Sequence, residues 1–139
     1  MDWKSCAVDD LRKYNLLKIG ILNSRDRIRA VESAAKRGRV SVENDALHTD
    51  SRLIDAIVES ERLNMNIKTA EALIKLVDRG LSALDETEKK VLEKFYMSSS
   101  PVNIHELENY LGYQARTVYR VRDRALTKFT LAMYGFEAL

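Results

Sequence analysis

Cysteine occurs once, at Cys6, so an intramolecular disulfide is excluded and a reducing compartment is compatible with the chain. Proline also occurs once, at Pro101, and the five glycines stand apart at 20, 38, 80, 112 and 135. A chain so poor in turn formers does not suit an all-β fold, and isolated glycines make no phosphate-cradling loop. No apolar run approaches the length of a signal sequence or a membrane span, and the opening MDWKSCAVDD is polar and acidic. His48 and His105 are far apart, and neither has metal-ligand spacing with Cys6. Carboxylates are scattered over helix faces, and no nucleophile–base pair stands out. The expectation is a cytoplasmic protein that is not an enzyme, with no catalytic residue, no metal, no cofactor and no membrane association.

What is present is charge and helix-forming residues. Charged residues make up 32% and hydrophobic ones 45%, enough of the latter to bury a core. Residues 2 to 37 carry Ala7, Leu11, Tyr14, Leu17, Ile21, Ile28, Val31 and Ala35, mostly three or four apart, which lines one side of a long helix. Trp3 and Tyr14 fit the core of a hairpin better than a base-stacking platform. GRVSVENDALHTD, residues 38 to 50, interrupts the pattern, and Asp50 or Ser51 can cap a second helix over 51 to 83. Its seam is Leu63, Ile67, Ala70, Ile74, Val77, Leu81 and Leu84, stepping 4, 3, 4, 3, 4, 3 as in a coiled coil. Two such helices fold back as an antiparallel hairpin, pair with a second chain, or both. Gly80 costs about 1 kcal/mol against alanine inside a helix, and close packing is the simplest reason for it.

The composition changes at Asp85. DETE forms a capping box with Asp85 at the N-cap and Glu88 three residues on, ahead of a helix carrying Val91, Leu92, Phe95 and Tyr96. MSSSPV ends that helix. NIHE offers a second box, Asn103 with Glu106, for a short helix whose inner face is Ile104, Leu107, Tyr110 and Leu111. Gly112 stands where a left-handed C-cap belongs. A last helix follows from 115 to Tyr134 and stops at Gly135. Helix, loop, short helix, glycine turn and long helix make a helix-turn-helix with one supporting helix before it. The predicted architecture is therefore all-α, with a helical hairpin over 1–84 for oligomerisation or interaction and a helix-turn-helix DNA-binding domain over 85–139.

On the last helix, Arg116, Arg120, Arg124 and Lys128 fall at about 0°, 40°, 80° and 120°, given 100° per residue. Val118, Val121, Ala125 and Phe129 lie opposite, and Leu126 and Tyr119 extend the apolar arc. Like charges at i,i+4 repel by roughly 0.2–0.5 kcal/mol per pair on an isolated helix, so a ridge of four points to a polyanionic partner. The second helix of a helix-turn-helix is the element that enters a DNA major groove. Arg122 lies on the apolar side, away from the ridge, where a structural or interhelix contact is expected. The helix starts at Gln114, a poor N-cap.

The stretch LSALDETEKKVLEKFY, continued by NIHELENYLGYQARTVYRVRDRALTKF, resembles region 4 of sigma-70 family factors over residues 81 to 130. The matching positions are Leu81, Leu84, Glu88, Val91, Leu92, Leu107, Leu111, Gly112, Val118, Ala125, Leu126 and Lys128. With the opening MDWK, the helical hairpin, TVYR and the closing MYG, the chain is similar to small phage and prophage proteins. These are the ArpU/RinA-type late transcription regulators and related uncharacterised phage families. The resemblance implies a sigma region 4-like helix-turn-helix and a role in transcription regulation. Gln114 departs from it, since sigma region 4 usually has Ser or Thr there. Sigma regions 2 and 3 have no counterpart, so autonomous promoter opening is not expected.

Three functions follow as expectations. In the first, the chain is a sequence-specific DNA-binding transcription regulator of double-stranded DNA. Gln114, Arg116, Thr117 and Arg120 reach base edges, Arg124 and Lys128 meet phosphates, and Tyr113 and Asn103 are weaker backbone contacts. In the second, it is a sigma or host RNA polymerase adaptor acting mainly by protein–protein contacts. In the third, it is a helical assembly protein. The heptad seam in 51 to 84 predicts a homodimer through the hairpin.

Overall fold

The computed structural model describes the backbone of residues 1–41 and 46–139 and the side chains of 1–37 and 51–139. Every regular element among the described residues is helical. Helix α1 spans Trp3–Ser41, α2 Ala46–Leu81, α3 Glu86–Leu92, α4 Ile104–Leu111 and α5 Ala115–Tyr134. A π-helical turn, Glu93–Met97, continues α3, and a 3-10 turn, Gly135–Ala138, follows α5. The fold is all-α, with α1 packed against α2 and the shorter helices after them.

Both long helices exceed their predicted limits. Residues 38–41 and 46–50 of the expected connection are helical, and 42–45 lie outside the described residues. Asp50 and Ser51 therefore sit inside α2 instead of capping it, a correction to the expected start. Ala46 and Leu47 are strong helix formers and carry the helix past them. At the other end Asp2 caps α1. Its carboxylate accepts the Ser5 hydroxyl at 2.8 Å and the Ser5 N–H at 3.1 Å. These two bonds, the hydroxyl first, hold the Asp2 carboxyl below the usual aspartate range.

The chain divides into two compact units that do not follow a boundary at residue 84. One comprises Met1–Leu16 with Leu73–Leu139, the other Leu17–Ala72. The first unit has a continuous core of Ala7, Leu11, Tyr14, Val77, Leu84, Leu92, Ala125, Leu126 and Phe129. Val91, Leu107, Val118 and Val121 are also buried, where α3 and α4 pack on α5. Apolar burial is the main driving force, and most of it lies here. Polar contacts fix the register around this core. Tyr14 donates its hydroxyl to Asp78, Tyr134 donates to Asp10, and Asn15 Nδ2 donates to the Met97 carbonyl at 2.8 Å. Trp3 lies against the Tyr134 ring, 5.0 Å between centroids. Burial, and then the Asp10 carboxylate, push the Tyr134 hydroxyl up from its ordinary value.

Gly80 faces this core, and its role is close packing. A Cβ there would stand 2.8 Å from Phe129 Cε2 and 3.2 Å from Met133 Cγ. The missing side chain lets the Phe129 ring rest on the α2 backbone.

In the second unit Ile21, Leu63 and Ile67 are buried, with Leu17, Ile28, Val31, Ala35, Leu53 and Ala56 half-buried. Arg25 Nη2 and Glu71 Oε1 form an ion pair at 2.6 Å between its two helical segments. The inward stripe read from the first helix and the seam read from the second are thus both turned away from solvent. The seam is covered within one chain, which changes the expected basis of a homodimer.

Candidate nucleic-acid interface

The helix-turn-helix is built from local signals that act largely as expected. Asp85 Oδ1 accepts the Glu88 N–H at 2.8 Å, and Glu88 Oε1 returns to accept the Asp85 N–H at 3.2 Å, so the capping box of α3 is complete. The bond from the Glu88 N–H, first of all, holds the Asp85 carboxyl below the ordinary aspartate value, with Lys128 and Arg124 adding to it. Asn103 caps α4 by accepting the Glu106 N–H at 3.2 Å. The expected second box is only half formed, because the bonds of the described residues include no return bond from the Glu106 carboxylate. Gly112 closes α4 in the left-handed region at φ 72°, donating its N–H to the Glu108 carbonyl at 2.8 Å. Glycine adopts that conformation without the clash a Cβ would bring, which lets the chain turn into α5 within three residues.

Two details depart from the sequence reading. The helix after Asp85 changes from α to π at Glu93, with the Ser98 N–H reaching the Glu93 carbonyl at 2.9 Å. Phe95 is thereby set against Tyr119 of α5, 5.9 Å between ring centroids. Tyr110, expected on the inner face of α4, is instead 68% exposed, with Lys90 Nζ 5.1 Å above its ring. A two-turn helix with Leu107 buried and Ile104 and Leu111 half-buried has no inward position left for it.

Helix α5 buries Val118, Val121, Ala125, Leu126 and Phe129 on one side, as its wheel requires. Tyr119, at the edge of the expected apolar arc, remains 41% exposed. On the opposite side Arg116, Thr117 and Arg120 are exposed, with Tyr113 and Gln114 just before them. Gln114 makes no capping bond, and there is no acidic residue in the first turn. The Thr117 and Val118 N–H groups bond the Gln114 carbonyl, at 2.9 and 3.1 Å. Ala115 and Arg116 precede the first intrahelical donors, so their N–H groups point out of the helix end.

The ridge is not uniform. Glu88, 1% exposed, lies against its C-terminal half. Lys128 Nζ donates to Glu88 Oε1 at 3.1 Å and sits equally close to Oε2, while Arg124 Nε is 3.7 Å from Oε2. Oε2 is buried without a hydrogen bond of good geometry. Of the two cations expected to meet phosphates, Lys128 is thus tied to α3, whereas Arg124 lies near the same carboxylate without a hydrogen bond to it. Nothing local could reveal this. Glu88 reads as a capping residue, and its cationic partner lies forty residues further along the chain. Arg122 stands apart as expected. Its guanidinium is 5.2 Å from the Phe95 ring and 5.1 Å from that of Tyr119, and it bonds Asp123 Oδ1 at 2.9 Å.

No protein-family model, curated protein or solved structure matches this chain. The site therefore rests on its own geometry.

Asn103 lies apart from the start of α5, at the start of α4. It lines a cavity of about 340 Å³ together with Lys90, Lys94, Ser98, Ser100 and Tyr110. Lys90 and Lys94 are two cations near a helix N-terminus that pattern reading did not single out. Among the described residues no group of three or more His, Cys, Asp or Glu side chains converges as metal ligands would. No helix among them is long and apolar enough to cross a membrane.

Proposed function

We propose that this chain is a cytoplasmic, non-enzymatic, sequence-specific DNA-binding transcription regulator of phage or prophage origin. The N-terminal part of α5 enters the major groove of double-stranded DNA. The observation that carries this reading is the start of α5. Arg116, Thr117 and Arg120 are exposed beside Gln114, whose side chain leaves the helix end uncapped. An uncapped N-terminus with outward N–H groups attracts phosphate, and arginine bonds guanine bidentately. Gln114, Arg116, Thr117 and Arg120 are the base-reading set. Tyr113 stands beside a phosphate. Asn103, with Lys90 and Lys94 near it, gives α4 a second backbone contact. The sigma region 4-like pattern of residues 81 to 130 agrees with this assignment. Selection of duplexes by the purified protein tests it. A preferred sequence is expected at moderate salt, and its absence removes base readout.

A second reading has support from the other flank of α5. Phe95, Tyr119 and Arg122 form a partly exposed aromatic–arginine cluster, a composition enriched at protein interfaces. An adaptor of sigma or host RNA polymerase would use it. Co-purification of polymerase that survives DNase, and survives charge reversal of Arg116 and Arg120, favours this reading over the first.

The homodimer we propose does not use the seam. It uses the outer side of α2, where Ile54, Val58 and Met65 are 60, 58 and 61% exposed. A second copy fits this stripe because Asp55 lies one heptad from Arg62, which pairs with Glu59 at 2.7 Å, so that two copies meeting antiparallel about Val58 add Asp55 of each to the pair of the other. Light scattering at tens of micromolar is expected to show a dimer, and Val58→Asp a monomer.

A further inference from the structure

The ridge holds four cations in sequence, but only part of it is free to meet a polyanion. Glu88 is the one charged side chain among the described residues that is buried. Its carboxylate is fixed from two directions. The Asp85 N–H bonds Oε1 at 3.2 Å, closing the cap of α3, and Lys128 Nζ lies 3.1 Å from both oxygens. Arg124 Nε stands at 3.7 Å, beyond hydrogen-bond reach of a buried oxygen that lacks a donor. Lys128 is therefore the close partner and Arg124 the loose one. Among the described residues Arg116 and Arg120 have no ion-pair partner, and the other pair of α5 is Arg122 with Asp123. A cation whose charge is already matched releases few counterions when a phosphate approaches, because moving it away leaves a buried carboxylate unpaired.

We infer that Glu88 is a specificity-determining residue, which withholds Lys128, and Arg124 in part, from the DNA backbone and so confines the interface to the start of α5. This deepens the DNA-binding reading and rests on it. The physical consequence is selectivity. Backbone contacts raise affinity for every sequence alike, whereas base contacts separate one sequence from another. Muting the C-terminal cations lowers the first without touching the second. The same contact anchors α5 to α3, so the residue that limits the electrostatic footprint also positions the reading helix.

The test is the salt dependence of binding to a selected duplex and to a random-sequence duplex, for the full chain. Glu88→Gln keeps an acceptor for the Asp85 N–H, since Gln serves in a capping box, and removes the charge. It is expected to steepen the logarithmic salt slope by about one to two units, at about 0.9 per neutralised phosphate. The random duplex is expected to gain more affinity than the selected one. Lys128→Gln in the otherwise unaltered chain is expected to leave the slope nearly unchanged, while Arg120→Gln narrows the gap in affinity between the selected and the random duplex. Helix content by circular dichroism, equal in all variants, separates these effects from misfolding. A slope lowered by about one in Lys128→Gln, or an unchanged slope in Glu88→Gln, overturns the inference while the DNA reading stands. No binding of either duplex by the unaltered chain overturns both.

Discussion

The N-termini of α3 and α5 flank one core, yet one is closed by its own side chains and the other is open. Asp85 and Glu88 satisfy the first turn of α3 reciprocally, and both are acidic, as the positive end of a helix favours. The Gln114 side chain satisfies nothing, and the first charge of α5 is Arg116. A capping residue contributes about 0.5–2 kcal/mol, so the open end forgoes stability that a single change to Asp or Ser would supply. Its N–H groups and an arginine are left facing outward instead. The difference shows which helix is built to be held and which to hold something else.

The largest expected effect is at the open end. Arg116→Ala with Arg120→Ala should weaken binding of a selected duplex at least about 30-fold, at roughly 1–3 kcal/mol for each base-reading arginine. Fluorescence anisotropy measures it, and the melting temperature should barely move. The closed end should behave in the opposite manner. Asp85→Ala should cost about 1 kcal/mol of stability by denaturant titration, with DNA affinity nearly unchanged. An equal effect on affinity would break the comparison.

A smaller change should make the two ends alike. Gln114→Asp should stabilise the fold by about 0.5–1 kcal/mol, since an N-cap acceptor is added beside the helix dipole. The same carboxylate repels phosphate, so DNA binding should weaken several-fold. If affinity rises instead, the open end is not a phosphate contact. The smallest effect is acidic. The Asp85 carboxyl is held below the ordinary value of 3.8, first by the Glu88 N–H. A carboxyl depressed on folding adds stability that is fully present above the unfolded value and is lost as pH falls through the folded one. Stability should therefore drop below pH 3.8 by a part that Asp85→Asn does not show. Denaturant titrations on either side of that pH check it.

Much of this was legible because it is local. The stripe from Ala7 to Ala35, the seam from Leu63 to Leu84, the DETE box, the turn at Gly112 and the limits of α5 each follow from spacing or from one capping residue. What escaped depends on residues distant in the chain or on alternatives of similar energy. The start of α2 was misplaced because Asp50 and Ser51 are good caps that helix-forming neighbours overrode. The π turn at 93–97 leaves no periodic mark in five residues. Tyr110 is exposed because a two-turn helix has room for few inward side chains. The ridge was read correctly as a ridge, but its division by Glu88 needed the fold to bring α3 beside α5.

The core that joins the two ends of the chain also sets a schedule. Ala7, Leu11 and Tyr14 pack with Ala125, Leu126 and Phe129, and Tyr134 bonds Asp10 across 124 residues. Contacts so distant in sequence close late and slowly. On a ribosome working at about 5–20 residues per second, the first helix waits roughly 6–25 s for the partner that covers it. Through that interval its apolar stripe has only α2 to lean on. Folding of this unit thus waits for α5, and truncations that remove α5 should leave the earliest helix the most exposed to aggregation and proteolysis.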